Sequence, residues 1–461
     1  MPQTIEPLLV LHSIAIGLIL MLFARVLMRR GLFRWTTAGF WSWAALVLYL
    51  VLNPLASVLL GNLLQYELML SMSGGIERGV WIMVVAALGI VAFFAAYLRT
   101  QSRPVVWRLR ANSERISIPM LLVMAVWVSW GMYSLLVYRS LLFPTSRDLI
   151  IEGGRFTGRV SGYEFTGHTF LFVPCVFLLL SDSLFRRWLG WLMVAVFVVL
   201  SLPVGWGRAA TVSIILAAAL ADALRRNRPR PRLVFVVAAL ILVSALQMRG
   251  HETWTLQETP AELFRLIPQA VTNIGGLLSS SDISMLASWY LESYIKDTLA
   301  GFDFGIPLLN YALTGWIPGS IFPSKYFLVD WLHAFQMASY PPVYDALMYG
   351  AKSSLIGSFY ANGGPIAVIV MMGLMGVLSR KLDGMLDRRS PILVKATGIS
   401  WLSLWWMVWG SHDTWGLATL GTLAMPSLTL WLVSPKVAPR KNRMVRWSPR
   451  GSYFRSFRSK A

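Results

Sequence analysis

Residues 79–98 read GVWIMVVAALGIVAFFAAYL, twenty positions without a charged side chain. A helix needs about 20 apolar residues to cross the hydrocarbon of a bilayer. Lipid offers no partner to an exposed backbone amide, and a helix satisfies its own. The stretch therefore reads as a transmembrane helix. Working outward from it, similar runs fall at roughly 7–27, 37–60, 117–138, 167–185, 188–204, 208–224, 233–249, 364–380, 391–410 and 415–434, about eleven spans in all. Composition agrees. The 461 residues are 56% hydrophobic and 13% charged, with a mean hydropathy of +0.60, whereas soluble domains carry about 25% charged residues. A β-barrel would show shorter, alternating segments. The expected fold class is all-α, a polytopic membrane protein with one long extracytoplasmic loop domain.

Cys175 is the single cysteine and lies in an apolar run, which excludes an intramolecular disulfide and a cysteine-based metal site. The residues before the first span include Glu6 and no Lys or Arg. A secretory signal would be basic there, so the first span is expected to be a retained helix.

Charge sets the expected orientation. Of the 41 Lys and Arg, 28 fall in loops on one side and 11 on the other, while Arg25 and Lys395 lie inside spans. Acidic residues divide five against sixteen in the opposite sense. By the positive-inside rule the basic side is cytoplasmic, the N-terminus outside and the C-terminus inside. The net charge of +20 is thus a topology signal and gives no support to nucleic-acid binding. The chain divides into 1–249 (spans one to eight), 250–363 (the outer loop domain), 364–434 (spans nine to eleven) and a basic cytoplasmic tail, 435–461, suited to anionic lipid head groups. Within the loop domain, Ala261, Phe264, Leu266, Ile267, Val271 and Ile274, and then Met285, Leu286, Trp289, Ile295 and Leu299, recur near helical spacing. Both sets are expected to lie in the membrane interface, apolar face down. No internal repeat is evident, which gives no support to an inverted-repeat transporter.

Candidates for chemistry lie on the outer side. Arg208 follows Pro203-Val204-Gly205-Trp206-Gly207 and opens a span. An arginine at membrane depth costs about 2.5–3.5 kcal/mol, so it either snorkels or takes a partner. Its planar guanidinium suits bidentate recognition of phosphate. Arg249 stands in a similar position. Lys325 lies in Trp316-Ile317-Pro318-Gly319-Ser320-Ile321-Phe322-Pro323-Ser324-Lys325-Tyr326, where two prolines break any helix. It is either a solvated loop lysine or a second cation for the same anion. Asp330 and His333, around Trp331, are three residues apart and share a face if helical. Such a pair can act as general base and orienting group. A second outer loop carries Arg147, Arg155 and Arg159, with four glycines before Tyr163. Outer aromatics are dense, and their flat faces serve either as interface belt or as sugar platforms. There is no P-loop, no HExxH, no Cys/His cluster and no outer Asp-x-Asp. An enzyme of this composition is expected to need no cofactor or metal and to stabilise its leaving group with Arg and Lys.

Three segments carry a resemblance. Gly207-Arg208, Ile317-Pro318-x-x-Ile321-Phe322-Pro323-x-Lys325 and Ser354-x-x-Gly357-x-x-Tyr360-x-Asn362-Gly363 resemble motifs of the bacterial oligosaccharide repeat-unit polymerases, the O-antigen polymerase or Wzy class. Gly319, Tyr326 and Ser358 depart from that pattern, standing where the family often has arginine, proline and glutamate. The resemblance implies a GT-C-like, metal-independent glycosyltransferase of the bacterial inner membrane. Its donor and acceptor would be oligosaccharides on undecaprenyl diphosphate, with a chain-length regulator as a candidate partner. It implies a diphosphate held by Arg208, Lys325 and Arg249, and a base among Asp330, His333 and Glu292. Sugar and substrate contacts would come from Arg159, Tyr163, Trp316, Trp331, Tyr360 and Asn362. An O-antigen ligase-like transferase and, behind it, a lipid or polysaccharide transporter are the alternatives.

Overall fold

The computed structural model describes residues 5–64, 66–67, 74–102, 117–141, 151–152, 155–156, 167–202, 208–226, 258–272, 285–310, 313–314, 324, 327–328, 355–387, 389–410 and 413–434. In chain order its helices are α1 (Ile5–Arg29), α2 (Ala38–Leu59), α3 (Ile76–Arg99), α4 (Ile118–Leu141), α5 (Gly167–Leu180), α6 (Leu184–Ser201), α7 (Arg208–Arg226), α8 (Glu258–Thr272), α9 (Met285–Ile295), α10 (Ile306–Asn310), α11 (Leu355–Met385), α12 (Ile392–Gly410) and α13 (Asp413–Val433). The only strands among the described residues, β1 (Ile151–Glu152) and β2 (Arg155–Phe156), form an antiparallel hairpin with Glu152 opposite Arg155.

Seven of these helices are long and apolar enough to cross a membrane: α1, α2, α3, α4 (over Ile118–Leu136), α6, α11 and α12. The chain is a multi-pass helical membrane protein. Against the eleven expected spans, α5 and the Leu423–Val433 part of α13 are apolar but short. Helix α7 carries Arg at both ends and Asp222 within. The expected span at 233–249 lies outside the described residues.

Outward-facing apolar stripes mark the lipid side. On α1, Leu11, Ile14, Leu18, Met21 and Leu22 are each more than half exposed, at the three- and four-residue spacing of one helix face. Three quarters of the apolar window of α12 is buried, against 22% for α6. Helix α12 is thus the hub, and α6 is peripheral.

The most extensive packing joins α3 to α11, which run parallel. Small residues permit it. A Cβ on Gly376 would lie 2.2 Å from the carbonyl oxygen of Phe93, and one on Gly89 would lie 2.9 Å from the Val368 side chain. Close backbone approach of this kind supplies van der Waals packing where lipid tails remove the hydrophobic drive. At the basic end, the Asp383 carboxylate accepts from the Ala38 backbone N–H (2.7 Å) and from the Tyr97 hydroxyl, with Arg380 at 3.5 Å. One buried anion thereby joins the start of α2 to the ends of α3 and α11, where the α2 dipole favours it. In the core, Ser42 accepts from the indole N–H groups of both Trp405 (2.8 Å) and Trp409 (3.2 Å), which fixes α12 against α2. Helix α2 widens by one residue at Leu48–Leu52. Pro54, just beyond, has no N–H for a regular turn, and the buried Asn53 side-chain oxygen accepts from the Tyr66 hydroxyl (2.7 Å).

Candidate functional site

Helix α11 is two helices joined by a break. Gly364 has φ +64° and ψ −152°, a left-handed conformation open to glycine. A Cβ there would also meet the Phe302 ring at 2.9 Å. Pro365 follows, at the first position of the second half, where a missing N–H costs nothing. The first half, 355–362, is almost wholly buried.

The broken end must find donors for its carbonyls. Asp303 N–H donates to Ala361 O (2.9 Å), and the Asn362 side-chain amide donates to Ser358 O (2.7 Å). The Asn362 carbonyl oxygen in turn accepts from Gly305 N–H (2.9 Å). The turn 301–305 is thus docked onto the break. Gly301, Phe304 and Gly305 all have positive φ, 49° at Phe304, and the Phe304 ring is 77% exposed. A non-glycine residue in that region costs about 1–3 kcal/mol and persists only where its surroundings hold it.

A second set of contacts crosses three elements. The Tyr360 hydroxyl donates to Asp297 Oδ2 (2.7 Å) and accepts from the indole N–H of Trp81 (3.1 Å). Arg78, in the first turn of α3, pairs with the same Asp297 oxygen, and its guanidinium lies 5.9 Å from the Tyr294 ring centroid. The Tyr360 ring meets Trp289 and Phe302 edge-on at 6.4 and 6.2 Å. Beside it, Lys296 and Asp303 form a buried ion pair at 2.6 Å. Their mutual attraction offsets a desolvation cost of several kcal/mol per ion.

Helix α9 departs from the sequence reading. Leu286, Trp289, Tyr290 and Ile295 are completely buried, packed against α11 and α3. It is a wall of the bundle and does not float in the interface, because its aromatic face finds protein partners there. Glu292 is also buried on α9. Tyr290 and Trp289 present a hydroxyl and an indole N–H that have no hydrogen-bond partner among the described residues. Burial, with Tyr66 nearby, raises the Tyr290 phenol well above its ordinary pKa, so it stays a donor. On helix α8, Leu266 is buried and Phe264 exposed.

Of the residues singled out from the sequence, the structure brings together Tyr360 and Asn362, two residues apart on the half-helix. Arg208 supplies the first backbone position of α7, at the end remote from Arg225 and Arg226; its side chain lies outside the described set. Lys325, Asp330, His333, Arg249, Arg159, Tyr163, Trp316 and Trp331 lie outside the described residues. The chain just beyond Lys325 is tied down, since Leu328 N–H donates to the buried Asn310 side chain (3.1 Å) five residues past Gly305. Arg78, Trp81, Asp297, Lys296 and Asp303 were not picked out by sequence reasoning. The available signal was that Arg78 and Lys296 are cations on the acid-rich side of a membrane chain.

Each cation whose side chain is described at this end faces a carboxylate: Arg78 with Asp297, Lys296 with Asp303, and Arg265 with Glu262. These pairs are a frame. Holding an anionic group here requires cations from elsewhere in the chain. Among the described residues, no three His, Cys, Asp or Glu side chains are grouped so that they could hold a metal ion. No protein-family model, curated protein or solved structure matches the chain.

Proposed function

We propose that the protein is a membrane glycan polymerase that joins oligosaccharide repeat units carried on undecaprenyl diphosphate. The observation that carries this reading is the glycine-broken half-helix. Tyr360 and Asn362, positions of the motif that resembles the repeat-unit polymerases, are both fixed there by hydrogen bonds to the Lys296–Gly305 segment. Irregular backbone in a membrane protein is tolerated where protein buries it or where it lines a wet cavity, and polar groups at such a break suit a lipid-linked head group.

In this reading a hydroxyl at the non-reducing end of the acceptor attacks the anomeric carbon of the growing chain. The bond from that carbon to the diphosphate oxygen breaks, and undecaprenyl diphosphate leaves with the electron pair. The acceptor proton passes to a carboxylate or imidazole, with Glu292, Asp330 and His333 as candidates. Arg208 and Lys325 face the developing diphosphate charge, since the described cations at this end are already matched. Fixed cations in a dry site act without reorganising at the moment of reaction. Exposed Phe304 offers a flat face to a sugar ring.

The test is genetic complementation read as a polysaccharide ladder. Arg208→Ala is expected to abolish polymerisation with protein levels unchanged and to leave single repeats on the final acceptor. Normal chain lengths in that variant would remove the diphosphate clamp. Long chains accumulating on the lipid carrier in a deletion strain would instead assign a ligase.

A further inference from the structure

The corner where α6 begins and α7 ends gathers four arginines, and none of the preceding chemistry uses it. Arg186 and Arg187 lie in the first turn of α6, and Arg225 and Arg226 in the last turn of α7. Asp222 takes Arg226 at 2.7 Å and reaches Arg225 only at 4.0 Å. Asp182 is the other carboxylate near Arg225. Burial, and then the neighbouring charges of Arg187 and Arg226, weigh against the Arg225 cation. The Arg187 Nε is buried and has no hydrogen-bond partner among the described residues. Arg187 and Arg225 are close enough to repel each other, and with the Arg187 Nε unbonded among the described residues the pair suits a shared anionic group.

The flank of this corner is apolar. Leu184, Phe185 and Trp188 are each at least 70% exposed, and Leu192 58%. Leu184, Trp188 and Leu192 fall four residues apart, on one face that runs down α6 away from the arginines. A cluster of arginines beside an exposed apolar stripe matches a molecule with an anionic head and an acyl tail. A free anion would make no use of the stripe.

We propose that this corner binds one anionic phospholipid, with Arg187 and Arg225 holding its phosphate and the Leu184–Leu192 face receiving an acyl chain. The full chain in detergent micelles, titrated with dioleoyl phosphatidylglycerol and read by native mass spectrometry, tests it. The expected result is one tightly held phosphatidylglycerol, bound at least ten-fold more weakly by the Arg187→Gln/Arg225→Gln double variant and unchanged by Arg34→Gln. Equal binding by the double variant overturns the proposal, as does equal binding of dioleoyl phosphatidylcholine. Displacement of the lipid by inorganic phosphate assigns the site to free phosphate and overturns it as well. Should the double variant not fold, photoactivatable phosphatidylglycerol on the unaltered protein decides the matter. Crosslinks within 184–192 and 222–226 support the site, and crosslinks confined to other helices sink it.

Discussion

At the scale of single residues, three side chains hold distant parts of the chain together. Among the described residues, Ser42 is the acceptor for two buried indoles. Ser42→Ala leaves both N–H groups unpaired in the core, at about 1–3 kcal/mol each. A clear drop in the thermal midpoint of the detergent-solubilised protein is expected, and no change would mean the indoles find other acceptors. Asp383 joins α2, α3 and α11 through three donors. Asp383→Ala strips a buried network of its anion and should cost about 3–5 kcal/mol, while Asp383→Asn keeps an acceptor for Ala38 N–H and should cost less. Tyr360 is the residue where structure and proposed function meet. Tyr360→Phe keeps the ring contacts with Trp289 and Phe302 and loses the bonds to Asp297 and Trp81. Polymer yield is expected to fall about ten-fold, as for a misplaced positioning group, with the thermal midpoint nearly unchanged. A fall in both by the same variant would mean the hydroxyl serves stability alone.

At the scale of elements, the break in α11 and the contact between α3 and α11 make separate demands on glycine. Gly364 needs its left-handed φ and its clearance from Phe302. Gly363, at φ 172°, is in extended backbone that any residue adopts. Gly364→Ala is therefore expected to abolish activity, and Gly363→Ala to be milder, in the same ladder assay. The reverse ranking would show that the break is not held by Gly364. At Gly376 the constraint is the Phe93 carbonyl. Gly376→Val must push two helices apart, an overpacking cost of about 1–3 kcal/mol or more. The helices themselves were legible in the sequence, because apolar runs report a local property. The placement of α9 was not. Its aromatic face reads the same whether it meets lipid or protein, and only packing against Tyr360 separates the two.

At the scale of the whole molecule, the two ends differ in charge, and by the Lys and Arg count the basic end is expected to face the cytoplasm. That orientation is open to labelling. The native Cys175 is buried, so single cysteines can be introduced against a silent background. Phe304→Cys should react with a membrane-impermeant maleimide on intact cells once the outer membrane is permeabilised, and Asp387→Cys only after cell lysis. The opposite pattern would invert the topology and move the candidate site to the cytoplasmic face.

The amino-acid sequence by itself determined that this is a helical membrane protein, roughly where the helices run, and which loops are basic. Those properties reside in runs of about twenty residues and in loop composition, so neighbouring residues suffice to express them. It also drew Tyr360 and Asn362 out of the background, since their motif is contiguous. Only the tertiary structure decided that Tyr360 meets Trp81, 279 residues earlier, and that Arg78 meets Asp297, 219 residues later. A pairing of that kind follows from which helix faces pack together. Periodicity shows that a face exists and leaves its partner unspecified.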